Sequence, residues 1–221
     1  MVTPREDFAA LFGGPRALVG MLHAGAMPGT PHARESVDAL VARAVDEAKV
    51  YAAAGFHAVL LENMHDRPYL KGAVGPEVVA VMTAVAREVR REVSLPLGVQ
   101  VLAAANREAL AVALAAGASF VRVEAFAFAH VADEGLLEAC AGDLLRYRRA
   151  IGAEGVRVYA DIKKKHSAHA ITADVSLAET AHAAEFFSAD GVIVTGAATG
   201  DPAAPSDVDA ASEAVALPVL V

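Results

Sequence analysis

The chain has 221 residues, 55% hydrophobic, 21% charged and 5% aromatic, and alanine alone supplies 52 of them. Nineteen Lys and Arg against 27 Asp and Glu give a net charge of −8, which excludes a broad basic face for nucleic acid or anionic lipid but leaves room for a small cationic pocket. A single cysteine, Cys140, excludes a disulfide framework and a cysteine-based zinc site.

Residues Met1 to Ala10 mix Arg5, Glu6 and Asp7 and lack the apolar run of a signal peptide. No apolar block approaches the length of a membrane span, so a soluble, cytoplasmic protein is expected. Ala17 to Leu22 reads as a first strand, followed by a Gly/Pro loop through Gly25, Pro28, Gly29 and Pro31. A helix then runs from a Ser36 cap to Ala54, with Val37, Leu40, Val41 and Ala44 on one face. Phe56 to Leu61 is the second strand, Pro76 to Val93 a helix and Leu97 to Leu102 the third strand. Asn106 to Ala116 is a helix, Phe120 to Glu124 the fourth strand and Leu137 to Ile151 the next helix. Val156 to Lys163, Gly191 to Thr195 and Leu217 to Val221 complete seven strands, with helices at Val175 to Ser188 and Asp207 to Ala216.

Repeated strand–helix units of about 30 residues imply right-handed crossovers and a parallel sheet. No Gly-x-Gly-x-x-Gly turn follows the first strand, and polar residues finish nearly every strand. Both favour a single-domain TIM-like (β/α)8 barrel over an open doubly wound sheet. Such a barrel needs roughly 250 residues, so a final helix, strand and helix are expected beyond Val221.

Alternation along the strands sorts the mouth residues. With Val121 and Val123 facing helices, Arg122 and Glu124 point inward. With Val158, Ala160 and Ile162 outward, Tyr159, Asp161 and Lys163 point inward. The same parity turns Leu60, Glu62, Gln100 and Thr195 inward, with His23 at the end of strand one. The expected catalytic set is His23, Glu62, Glu124, Asp161 and Lys163. Asn63, His65, Arg122, Lys165, His166, Thr195 and Gly196 are the expected substrate contacts. Glu62 and Asp161 can act as paired acid and base, or hold a divalent metal with an imidazole. Lys163 or Lys165 can hold a phosphate or carboxylate, while Lys164 reads as part of a solvated charge run. Thr195 to Gly200 can cradle an anion on backbone N–H groups. Cys140 reads as inert.

Four motifs carry a resemblance. Met21-Leu22-His23-Ala24-Gly25-Ala26-Met27-Pro28-Gly29-Thr30-Pro31 resembles the opening motif of the BtpA/SgcQ family. Leu61 to Leu70, Tyr159 to His166 and Val194 to Gly200 resemble its later motifs, in order. The resemblance implies a TIM-like barrel and a link to photosystem I biogenesis, in a protein that is membrane-extrinsic. It also admits members that lie beside sugar-metabolism genes. The chain departs from the family pattern at Ala104-Ala105, where an Asn-Asp pair is usual, at Glu124, where Asn is common, and at Lys163, where His is frequent. Two functions are therefore expected in parallel: membrane-complex biogenesis, implied by the resemblance, and an enzyme acting on a small anionic metabolite such as a phosphorylated sugar or nucleoside. No nucleic-acid partner is expected, peripheral membrane association is compatible with the first function, and a homo-oligomer is the expected assembly.

Overall fold

A computed structural model describes residues 2–198 and 200–221. In chain order the elements are α1 (Pro4–Phe12), β1 (Val19–His23), α2 (Val37–Ala53), β2 (Ala58–Glu62), α3 (Pro76–Glu92), β3 (Leu97–Gln100), α4 (Asn106–Ala116) and β4 (Phe120–Val123). They continue with β5 (His130–Ala132), β6 (Gly135–Leu137), α5 (Ala141–Ala150), β7 (Arg157–Ile162), β8 (Ser167–Ala168), a 3-10 turn (Ala170–Thr172), α6 (Leu177–Phe186), β9 (Gly191–Val194), α7 (Pro205–Ala214) and β10 (Val219–Leu220). Seven strands form one parallel sheet in the order β1-β2-β3-β4-β7-β9-β10. The sheet curls into a half-barrel backed by helices.

The outward-facing residues of the strands pack on those helices. Leu22, Val59, Leu61, Val99, Val121, Val123, Val158, Ala160, Ile162 and Val194 belong to one continuous core with α2 to α7. Many of the helix contributions are alanines, among them Ala44, Ala48, Ala86, Ala109, Ala113, Ala181 and Ala184, which lets helices lie close to the sheet. The inward-facing residues form a second cluster, containing Ala58, Leu60, Phe120, Tyr159 and Ile193. Glycines make room for its two rings. A Cβ at Gly98 would overlap the Phe120 ring, and one at Gly191 would overlap Tyr159.

Helix α1 is an element that the strand–helix pattern does not anticipate. Thr3 and Glu6 form a capping box and Pro4 occupies the first turn, so its start is locally encoded. Phe8 and Phe12, one turn apart, pack on the inner cluster, Phe12 lying 5.6 Å from Phe120 and Phe8 6.3 Å from Tyr159. Asp7 accepts two hydrogen bonds from Arg157 at 2.7 and 2.8 Å, fixing the helix across the strand N-termini.

The connection after β4 also differs from expectation. Leu137, expected in a helix, ends β6, and the helix starts at Ala141. Strands β5 and β6 form an antiparallel hairpin, and β8 joins β5 on its other edge. This three-stranded sheet, made from the loops after β4 and β7, stands over the C-terminal ends of those two strands.

Candidate functional site

The inward parity expected for the strand ends holds through β7. Registers align His23 with Glu62 and Glu62 with Gln100, and they pair Arg122 with Tyr159, so the polar residues sit one layer above the inner apolar cluster. Arg122 is the centre. Its Nε and Nη2 donate to Asp161 at 3.0–3.2 Å, and the Asp161 side chain is 1% exposed. Burial opposes the guanidinium charge, but Asp161, Glu62 and Glu124 together raise its pKa above the ordinary value.

Glu124 follows β4. One carboxylate oxygen accepts the Lys164 ammonium at 2.6 Å and the other the Ala104 N–H at 2.6 Å. Burial pushes its pKa up and Lys164 draws it down, with a net rise. The carboxylate of Glu124 thus reaches, from the neighbouring strand, the Ala104 position where the resemblance implies a polar pair. The main chain of Glu124 is held by Asn106, whose amide oxygen accepts its N–H and whose amide group donates to its carbonyl.

Lys164, expected in a solvated charge run, joins Lys163 at the site. The alternation of β7 ends at Ile162, and Lys163 turns into the left-handed region at φ 44°. Lys163 donates to the Thr172 carbonyl at 3.0 Å, while Lys164 is the lysine that reaches Glu124, its side chain only 11% exposed. Period-two counting cannot foresee such a reset, and Lys164 was the residue it left to solvent.

His23 and Glu62 pair at 3.4 Å, and this contact raises the His23 pKa against the opposing effect of burial. Lys165 also acts electrostatically on His23, and its N–H donates to Thr195 Oγ1 at 2.9 Å. Glu62 and Asp161, expected to act as one pair, have separate partners in His23 and Arg122. Among the described residues no three His, Cys, Asp or Glu side chains group as a metal site. The donor set among the described residues therefore does not suit a divalent metal.

The other expected contacts are placed as follows. Asn63 is fully buried; its oxygen accepts the Leu102 N–H at 2.7 Å and its amide donates to Asp66 at 2.9 Å. Asp66 accepts the Met27 N–H at 2.7 Å, so the pair ties together the loops after β1, β2 and β3. Burial raises the Asp66 pKa despite these donors. His65 is exposed and borders an open hollow with Met21, His23, Arg43, Glu47 and Tyr51. His166 is exposed in the turn before β8. A Cβ at Gly196 would strike the backbone of Asp201 and Pro202, so this glycine permits close chain packing instead of opening a cradle. Thr199 of that motif lies outside the described residues. Cys140 borders α5, and burial raises its thiol pKa to about 11, as suits an inert residue.

Sequence reading missed His130. It lies on β5, is buried, and its Nε2 has no hydrogen-bond partner among the described residues; the same holds for Gln100 Oε1 at the end of β3. A short strand of three residues shows too little alternation to mark either face. Five non-glycine residues in left-handed conformations surround this end of the sheet: Ala104, Ala125, Phe128, Lys163 and His166. Such backbone is sparsely populated and clusters at functional sites.

A 2,3-dimethylmalate lyase of the PEP mutase/isocitrate lyase superfamily shares the fold, with a TM-score of 0.52 and 16% identity over 89% of this chain and 64% of that one. A provisionally assigned phosphonomutase of Burkholderia cenocepacia matches with a TM-score of 0.58 at 20% identity, covering 96% of this chain and 80% of the other. These likenesses establish a TIM-barrel-like fold. Among sequence relatives, a mitochondrial protein of Caenorhabditis elegans with no assigned role is 46% identical over 98% of this chain and 80% of its own length. A protein of Archaeoglobus fulgidus is 38% identical over 93% of this chain and 80% of its own. The photosystem I biogenesis protein BtpA of Synechocystis is 34% identical over 89% of this chain and 68% of its own. Residues 15–221 match the BtpA family profile, with the motifs around His23, Glu62, Asp161 and Thr195 inside the matched span, and the chain belongs to that family.

Proposed function

We propose that this chain is a barrel enzyme that binds a small anionic metabolite at the C-terminal mouth of its sheet and performs proton-transfer chemistry on it. The observation that carries this reading is charge. Arg122 pairs with Asp161 and Lys164 with Glu124, Lys163 lines the same cavity as Asp161 and Lys164, and Lys165 and Glu47 both act on His23, which pairs with Glu62, in a chain whose net charge is −8. Burying these groups costs stability that hydrophobic residues of the same volume would not forfeit. A mouth arranged in this way concentrates its ionic groups where barrel enzymes bind substrates.

The residues divide by role. Asp161 orients Arg122, and Glu124 orients Lys164, so two cations face the mouth with their geometry already set. Lys165 adds a third positive charge beside His23. His23, its protonated form favoured by Glu62, is placed to donate a proton to a departing or developing negative oxygen.

Membrane-complex assembly, the role in the name of the Synechocystis relative, is the other reading. The relatives in Caenorhabditis elegans and Archaeoglobus fulgidus carry no such role in their names.

Thermal unfolding with inorganic phosphate, glycerol 3-phosphate and ribose 5-phosphate tests the proposal. A bound anion at 100 times its dissociation constant adds about 2.7 kcal/mol of stability, and Arg122→Met should abolish that gain. Absence of stabilisation by all three, at millimolar concentration, would remove the anionic-substrate reading.

A further inference from the structure

We propose that His130 is the proton-accepting base of this mouth, acting through Nε2 on a hydroxyl group of the bound anion that enters the small cavity beneath the β5–β6–β8 sheet. The proposal rests on the anionic-substrate reading and assigns it a further residue.

The first observation is an unmet polar atom. His130 is 6% exposed, and its Nε2 has no partner among the described residues. A buried ring nitrogen without a hydrogen bond is costly, and in a native protein such an atom calls for a partner, whether an ordered water, an ion or a ligand group. The second is the cavity itself. It measures about 20 Å³ and is lined by His130, Asp161, Lys163, Lys164, His169 and Thr172, among others. That is room for one water-sized oxygen and too little for a phosphate. A hydroxyl therefore fits inside while the charged end of the same ligand remains outside against the lysines and Arg122.

The surroundings set the direction of proton flow. The charged and titratable groups around the imidazole are Lys164, Lys163, Asp161 and His169. The Lys164 charge disfavours adding a second proton to the ring, so the imidazole is held neutral and keeps one lone pair. The His169 ring lies 5.4 Å from the His130 ring, and its own Nε2 contacts the Lys164 carbonyl at 3.0 Å. Because a carbonyl only accepts, His169 Nε2 carries a proton and keeps the cation-bearing turn in place. In the reaction step the Nε2 lone pair takes the hydroxyl proton, the O–H bonding pair stays on oxygen, and the imidazole becomes imidazolium. The alkoxide so formed lies beside Lys163 and Lys164, which stabilise its charge. Burial, with the Lys164 charge added, lowers the His130 pKa to about 4 in the free protein. An anion docked on the lysines offsets their charge and raises the basicity of His130 only when substrate is present.

The test is nitrogen NMR on the full chain labelled with 15N-histidine, the His130 signal being assigned by through-bond correlation so that no variant must fold. Unprotonated Nε2 at pH 7 is expected, together with a titration midpoint that moves up by a unit or more when glycerol 3-phosphate is added. His130→Gln should weaken glycerol 3-phosphate binding about 5-fold, the loss of one neutral hydrogen bond, and leave inorganic phosphate binding unchanged. A proton on Nε2 at pH 7 would overturn the proposal. So would an unmoved midpoint while thermal unfolding registers bound glycerol 3-phosphate, and in that case the anionic-substrate reading would stand. Failure of every phosphate compound to stabilise the protein would bring down both.

Discussion

Glu124 joins three strand ends through one side chain, reaching Ala104 after β3 and Lys164 after β7 from its own place after β4. Both partners of its ion pair are nearly buried, so removing one strands the other in a poor dielectric. Lys164→Met should therefore cost roughly 3–5 kcal/mol in urea unfolding, and adding Glu124→Gln should recover most of it. A loss under about 1 kcal/mol is what an exposed pair would give and would deny the pair its buried character. His130 supplies a pH dependence of the opposite origin, burial without a partner. An unfolded imidazole protonates as pH falls below 6.5, while the folded one waits until about 4. The unfolded chain thus binds more protons in this window, and stability present at pH 7 is lost as pH falls through it, by roughly 3 kcal/mol at most. His130→Gln should flatten that part of the pH–stability curve relative to the unaltered chain. Identical curves would place the imidazole in water.

At the scale of elements, α1 and the three-stranded sheet close opposite ends of the curled sheet. The inner cluster would expose Phe120 and Tyr159 at its lower end without Phe8 and Phe12. Phe12→Ala should accordingly destabilise the protein by about 3–5 kcal/mol without altering anion binding at the far end, as thermal unfolding with and without phosphate would measure. An equal loss of anion response would couple the two ends. The start of α1 was legible in Thr3, Pro4 and Glu6, and its apolar face in Phe8 and Phe12 at helical spacing. The small sheet was not, because β5, β6 and β8 have three, three and two residues and acquire their identity only by pairing with one another.

The whole molecule is a negatively charged body whose mouth holds paired charges. Its outer core runs without a break from β1 to the helices behind β9, and α1 links the inner cluster to Arg157 on β7. Unfolding should therefore be one cooperative transition, with calorimetric and van't Hoff enthalpies equal. Two separated transitions would show that the helical layer or the inner cluster melts independently.

Much of the architecture followed from the sequence itself. Parallel strands buried on one side by alanine-rich helices need apolar residues at every second position. That requirement fixes the inward places of Glu62, Gln100, Arg122, Glu124 and Asp161 without reference to distant chain. The three later motifs likewise marked the loops after β2, β7 and β9. The choice of partners was a tertiary decision. Arg122 lay within reach of three carboxylates, and only the packed sheet selects Asp161 for it and His23 for Glu62. The left-handed turn at Lys163 shifts the side-chain alternation by one, which brings Lys164 into the site. His130 enters from a loop strand with no periodic signal of its own. Local periodicity governs which face a strand residue occupies, whereas pairing of buried charges depends on the distances that folding sets between strands.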